Sequence, residues 1–353
     1  MPPQRDAHVK AVIELTLIPG IGTAVQNLIY KTLPSISDIF LMDDSQLERL
    51  GISREASRAV RSRKFRASAE EIFDWSLREG CRFIMRGNPD YPPLLEEIYD
   101  PPLILYARGC MESLAKPCVS LVGTRRPTVY GLHIAQGIAS DLASKSISIV
   151  SGLARGIDGA AHRGCIECDG TTVAVFGCGI DIIYPREHQQ LAQKILNKGL
   201  LLSEFPPGTP PLPKNFPLRN RIISGLALAT LIVEASEKSG SLITARLALE
   251  QNRELFAVPG NLTSPQSFGP NFLIKQGAKL IQTWRDIVED LPADVRGKIL
   301  TEGKGPSDYK SESALLSDEE TQLLQHVKVD EAVEFDKIHY SSGIGIPRLS
   351  DLL

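Results

Sequence analysis

CVSLVGTRRPTVYG, residues 118–131, is the stretch from which the rest of the chain can be read. Cys118 to Val122 is a short apolar run, Gly123 ends it, and helix-forming sequence resumes near Thr128-Val129-Tyr130-Gly131. A buried parallel strand that turns tightly into a crossover helix has this form, with glycine permitting the turn. The pattern recurs downstream in SISIVSG (146–152), TTVAVFG (171–177), GLLLSEF (199–205), ALATLIVEA (227–235), ELFAVPG (254–260) and KLIQ (279–282). Helix-length segments lie between these runs at 130–144, 158–168, 186–198, 216–226, 241–252 and 269–277. Apolar strands alternating with helices predict a doubly wound α/β domain with a mostly parallel sheet covered on both faces. Any ligand is then expected at the carboxyl ends of the strands.

The chain has 353 residues, enough for two domains or for one large domain with additions. At 42% hydrophobic and 23% charged it has the composition of an ordinary globular protein, which excludes a collagen-like, coiled-coil or largely disordered chain. The net charge of −3 excludes a protein basic over its whole surface but leaves room for a local basic site. MPPQRDAHVK lacks the apolar stretch of a secretory signal. The longest apolar run, Ile222 to Val233, falls short of the roughly 20 residues that span a bilayer. The six cysteines are scattered, as in a reduced protein, so a cytoplasmic location without membrane contact is expected. The predicted organisation is a helical region over 1–75, the α/β core over 76–292, a polar Gly/Ser-containing linker over 293–316, and a small acidic segment over 317–353.

Several loops combine cations with glycines. After the first strand, Gly123, Thr124, Arg125 and Arg126 bring backbone amides, a hydroxyl and two guanidiniums to the sheet edge beside a helix start. That combination suits a phosphate, although an ordinary strand-to-helix turn with solvated arginines fits the same residues. The dinucleotide fingerprint and the P-loop are both absent. SGLARGIDGAAHRG (151–164) adds Arg155, with Asp158 suited to cap a helix and His162 four residues on. An Asp-His catalytic pair is conceivable there, but no nucleophile accompanies it, and a satisfied structural histidine is the plainer reading. PPGTPPLPKNFPLRNRIISGLA (206–227) interleaves Lys214, Arg219 and Arg221 with Phe216, as a single-strand groove requires, or holds a core phenylalanine among surface cations. In VEASEKSGSLITARLALEQ (233–251), Ser239-Gly240-Ser241 opens a helix, as a second anion site or a simple N-cap. Cys165 and Cys168 form a lone CxxC without a second ligand pair, closer to helix filling than to zinc. LIPGIGTAVQNLI (17–29) reads as a helical hairpin, with LERLGISREASRAV (47–60) a weaker second copy ahead of the basic run Arg61, Arg63, Lys64 and Arg66. Such hairpins either hold a DNA phosphate through their amides or only turn the chain.

In order and spacing, VGTRRPTVYG, SGLARGIDGAAHRG, FPLRNRIISGLA, VEASEKSGSLITA, AVPG and SFGPNFLIKQGA resemble the DNA processing protein A (DprA/Smf) family, as does YPPLLEEIYDPPLILYARG (91–109). The resemblance implies an extended Rossmann-like core that dimerises, binds and protects single-stranded DNA, and loads the RecA recombinase during natural transformation or recombination, with no cofactor, no metal and no reaction of its own. The expected phosphate-binding residues are Gly123, Thr124 (serine in the family) and Arg125, carried over by position, Arg219, Arg221, Ser239, Gly240 and Ser241 from the matching segments, and Arg126, Arg155 and Lys214 from the reading of the loops themselves. Phe216 is the stacking residue, and Asn220 and Asn271 are further binding-loop residues. The N-terminal region is similar to SAM-like or helix-hairpin-helix modules and is expected to make weak contact with duplex DNA. The tail resembles an incomplete winged helix; a truncated chain or a degenerate module used for protein contact would each fit. Related Rossmann-like phosphoribohydrolases supply an enzymatic alternative, but their PGGxGTxxE stretch has no counterpart in VEASEKSGSLITA. A scaffold that does not touch DNA is the third reading.

Overall fold

The structure is a computed structural model of the chain and describes residues 3–301, 323, 326 and 333–352. Its strands are β1 (Arg82–Met85), β2 (Ile104–Gly109), β3 (Cys118–Val122), β4 (Ser148–Ser151), β5 (Thr172–Phe176), β6 (Leu200–Ser203), β7 (Ala229–Ile232), β8 (Glu254–Ala257) and β9 (Lys279–Leu280). They form a nine-stranded sheet in the order β1-β2-β6-β5-β4-β3-β7-β8-β9. From β6 to β9 every pairing is parallel, while β2 runs antiparallel to both β1 and β6. All seven strands expected from the sequence are present; β1 and β2 are additions to that reading.

The continuous apolar strands are buried on both sides. Val173 and Val175 of β5 belong to one core, with Leu200 and Leu202 of β6, while Ala174, Phe176 and Leu201 belong to the other. This alternation is the period of two expected of a pleated strand covered on both faces. From β3 the chain winds outward through β4, β5 and β6, then returns to place β7 on the opposite side of β3. The reversal lies between β3 and β7, where the buried Ser120 hydroxyl lies 2.7 Å from that of Thr230.

The N-terminal region folds as helices Pro3–Leu17, Thr23–Thr32, Asp44–Arg49, Arg54–Arg61 and Arg66–Arg78. The two hairpins suggested by the sequence are matched turns. Gly20 and Gly51 have φ of 87° and 76°, and each is followed by a buried isoleucine, Ile21 or Ile52. These helices share one apolar cluster with a face of the sheet: Ile13, Leu15, Ile29 and Val60 join Tyr106, Phe176 and Leu201. Residues 1–296 accordingly form a single compact unit. A helix, Ala293–Thr301, occupies the start of the expected linker, whose remainder lies outside the described residues. The second unit begins at Gly297 and carries two described helices, Phe335–Ser342 and Ile346–Leu352. Leu323, Ile338 and Leu349 form its small core. Most of the tail read as a partial winged helix before residue 333 lies outside the described residues.

Arg221, expected at the ligand site, is a structural residue. It is 4% exposed, and its guanidinium donates to Asp100 at 3.0 Å and Glu204 at 2.5 Å. Replacing it with methionine strands two carboxylates. Arg221→Met is expected to lower the unfolding free energy by about 2–3 kcal/mol, somewhat less than for a fully buried pair, because Asp100 and Glu204 keep part of their surface in water. Urea denaturation measures this, and an unchanged midpoint would mean that the triad does not support the fold.

Candidate nucleic-acid interface

Where the winding direction reverses, the loops after β3 and β7 part and leave a crevice. A cavity of about 640 Å³ occupies it. Gly123, Thr124, Arg125 and Arg126 line it from the β3 side, and Ser236, Ser239, Gly240 and Ser241 from the β7 side. The helix Asn215–Gly225 contributes Phe216, Pro217, Arg219 and Asn220, and the Pro-rich loop before it contributes Pro211 and Pro213.

The β3 loop is held from within. The Thr124 amide donates to the Glu234 carbonyl at 2.7 Å, and the Arg126 amide donates to the Thr124 hydroxyl at 3.2 Å. The Glu234 carboxylate accepts from the Thr128 amide at 2.9 Å and the Thr128 hydroxyl at 2.5 Å. Thr128 in turn caps the helix Val129–Ser144 by accepting from the Gly131 amide at 3.0 Å. The Thr124 amide, read from the sequence as free for a ligand, is therefore occupied. Gly156 allows the β4 loop to close on this turn: its φ is 77°, and a Cβ there would collide with the Thr124 carbonyl. The Arg125 and Arg126 side chains remain exposed.

Arg219 forms the floor. It is 3% exposed and donates to the carbonyls of Gly152 and Val175, at the ends of β4 and β5. Burial lowers its pKa to about 10, so the group stays cationic at neutral pH. Asp158 lies nearby and accepts from the Gly152 amide at 3.1 Å; burial raises its pKa and the Arg219 charge opposes that rise. Arg219 therefore lends positive potential from below, whereas Arg125 and Arg126 are the cations free to reach a ligand. On the opposite rim, the Ser239 and Ser241 hydroxyls are 2.7 Å apart. Ser241 is the first residue of the helix Ser241–Glu250, and the Gly240 N-cap brings no side-chain cap.

Other expected residues lie elsewhere. Lys214 is exposed at the start of its helix but does not line the cavity. Arg155 borders a small recess beside it and is held by Glu187 through two bonds of 2.6 Å. That pairing raises the Arg155 pKa and lowers that of Glu187. Asn271, in the helix Phe268–Lys275, clamps the loop after β8, donating to the Gly260 carbonyl at 2.9 Å and accepting from the Gly260 amide at 3.2 Å. His162 is fully buried with Nδ1 2.7 Å from the Thr172 hydroxyl, and no hydrogen bond joins it to Asp158, so the catalytic-pair alternative has no geometry behind it. Cys165 and Cys168 are free thiols, and among the described residues no group of three or more His, Cys, Asp or Glu could hold a metal. In the N-terminal basic run, Arg61 pairs with Asp44, Arg63 with Glu14 and Arg66 with Glu70. Among the described residues, no helix is long and apolar enough to cross a membrane.

Sequence reasoning missed Tyr184, whose exposed ring lines the cavity beside Phe216. Its signal was an aromatic residue in the loop that follows β5, at the same edge of the sheet. It also missed Glu234 as the residue that organises the β3 loop.

Fold and site together define a Rossmann-like α/β protein with a cationic crevice at its topological switch point. The family model described as DNA recombination-mediator protein A matches residues 82–292, and the chain belongs to that family. It is 48% identical over 215 residues to the DNA processing protein DprA of Bacillus subtilis, covering 61% of this chain and 72% of that one. It is 44% identical over 227 residues to Protein Smf of Escherichia coli, covering 64% of this chain and 61% of that one. The X-ray structure of DNA processing protein A from Streptococcus pneumoniae matches with a TM-score of 0.68 at 33% identity, over 79% of this chain and 96% of that one. A structure of DNA processing protein A from Helicobacter pylori, concerned with its single-stranded DNA binding mode, matches with a TM-score of 0.54 at 31% identity, over 63% of this chain and 98% of that one.

The buried histidine gives the fold a measurable pH dependence. Burial lowers the His162 pKa from 6.5 to about 3. The unfolded chain takes up this proton below about pH 6.5 and the folded chain only near pH 3, so stability falls as pH drops through that window. His162→Gln is expected to flatten the decline of the urea midpoint between about pH 6.5 and pH 4 by up to one proton's worth of slope. An identical decline in both proteins would show that His162 is not linked to unfolding.

Proposed function

We propose that the chain binds single-stranded DNA in the crevice between the β3 and β7 loops and, as a recombination mediator, delivers the strand to the RecA recombinase. One observation carries the reading: the exposed Arg125 and Arg126 and the Ser239–Ser241 helix start, more than a hundred residues apart in sequence, line one cavity together with aromatic rings. Cations neutralise phosphates, a helix N-terminus attracts them, and rings accept bases of any identity. The single-strand theme of the Helicobacter pylori relative supports the same assignment. Contacts of this kind address the backbone, so sequence preference is slight. The carboxylates favour binding over catalysis: Asp158, which lines the cavity, is engaged by the Gly152 amide, and Glu234, which holds the β3 loop, is engaged by Thr128, which leaves neither disposed for acid-base work. In this proposal the protein acts in the cytoplasm as a homodimer, protects the strand, and touches duplex DNA weakly through the N-terminal hairpins.

The test is a salt titration of oligonucleotide binding by the full chain. Single strands should bind more tightly than duplex, with log K falling by about 0.7 per phosphate contact for each decade of salt. Arg125→Ala should weaken binding about tenfold and reduce that slope by about one contact's worth. Equal affinity for both forms, or an unaltered slope in a folded Arg125→Ala protein, contradicts the assignment. RecA filament growth on a single strand should also quicken when the protein is added.

Glu187→Gln is expected to act in the opposite direction. It removes the charge that holds Arg155 and leaves that guanidinium available to a phosphate at the recess beside the cavity. Affinity should rise a few-fold and the salt slope should steepen. Weaker binding by this variant would mean that the ion pair shapes the site rather than competing with the strand.

A further inference from the structure

The turn between β4 and the helix Ile157–Glu167 is strained at one residue. Leu153 is fully buried and has a φ of 54°, a backbone conformation that a leucine side chain opposes. Such strain persists only where neighbouring groups enforce it. The neighbour here is His188, a buried residue at the end of the 3-10 helix Arg186–His188. Its Nδ1 lies 2.9 Å from the Leu153 carbonyl and donates to it. The ring has room because Gly159 carries no side chain: a Cβ there would be 2.8 Å from His188 Cε1. By helix propensity alone, glycine at that place is unfavourable.

The turn held in this way meets the crevice at three points. The Gly152 carbonyl accepts from Arg219, and the Gly152 amide donates to Asp158. Ile157, just after the turn, donates its amide to the Thr124 carbonyl at 3.2 Å and packs so near Gly123 that a Cβ there would be 2.6 Å from its side chain. Ala154 lines the cavity itself. His188 lines neither the cavity nor the recess beside it.

We propose that His188 is a positioning residue: by holding the Leu153 carbonyl it keeps the β4 turn in its strained form, and that form sets the Arg219 floor and the β3 loop where a strand can use them. This rests on the single-strand reading and adds a residue that acts on the crevice without touching the strand. Its role differs from that of Glu187 beside it, which holds the Arg155 side chain and not the backbone. Without the His188 hydrogen bond the turn relaxes in a share of the molecules, and the apparent affinity falls with the fraction that remains competent. Competent molecules make the same phosphate contacts as before, so the salt slope stays where it was.

The experiment compares full-length variants by binding of a thymidine oligonucleotide across a salt series and by amide hydrogen exchange of the free protein. His188→Ala should weaken binding about tenfold, keep the salt slope, and quicken exchange at the Ile157 and Gly159 amides. His188→Asn, whose side-chain amide takes the place of Nδ1, should bind and exchange like wild type. Gly159→Ala should weaken binding about as much as His188→Ala, although alanine is the better helix former. In a His188→Ala background it should add nothing, because no ring remains to be displaced. A folded His188→Ala protein that binds like wild type, one that loses salt slope along with affinity, or a Gly159→Ala effect that persists in full without the ring overturns the assignment and leaves the binding proposal standing. If His188→Ala does not fold, Gly159→Ala decides alone, and wild-type binding and exchange in that variant overturn the assignment. If the wild-type chain binds no single strand, the crevice reading falls, while faster exchange in His188→Ala still supports the hold on the turn.

Discussion

The buried guanidinium of Arg219 is the interaction on which the crevice depends. It comes from the helix Asn215–Gly225 and bonds the carbonyls of Gly152 and Val175, so one side chain ties that helix to the ends of two strands. A cation in so dry a place is costly unless hydrogen-bonded and balanced by charge. The two carbonyls and the nearby Asp158 meet part of that need, with the buried Arg219 Nε left without a hydrogen-bond partner among the described residues, and Asp158 is itself held by the Gly152 amide. The result is a rigid floor that fixes where Phe216 and Asn220 stand relative to the β3 and β7 loops.

A protein with a net charge of −3 nonetheless presents a positive crevice, because the carboxylates around it are committed elsewhere. Glu234 ties the β3 loop to the start of its helix, Asp158 faces the floor, and Asp100 and Glu204 are occupied by Arg221. Each binds a donor of the protein itself, which leaves Arg125 and Arg126 as exposed cations without a carboxylate among the residues lining the cavity other than buried Asp158. Field strength in a cleft depends on this local balance and not on the total.

The parallel core was legible because strands buried on both faces are written as continuous apolar runs closed by glycine, serine or proline. Strands β1 and β2 escaped for a physical reason: β2 is defined by antiparallel pairing with β6, nearly a hundred residues away, and nothing local in ILYARG signals that partner. At the site, the residues directly after β3 and before the helix at Ser241 were readable, since strand ends and helix starts fix their positions. Arg219 and Arg221 were not separable by sequence. Two residues on a helix differ by about 200°, so one faces the strand ends and the other faces Asp100 and Glu204. Asn271 looked like a polar ligand residue, but its side chain is spent on Gly260.

The apolar cluster common to the N-terminal helices and the sheet has a practical bearing on dissection of this molecule. A fragment cut to the family-matched segment, starting at residue 82, would uncover Tyr106, Phe176 and Leu201 on that face. Such a fragment would expose a greasy flank of the kind that drives self-association. Poor behaviour of the isolated α/β portion would then reflect a wounded interior and say nothing about which residues grip the ligand.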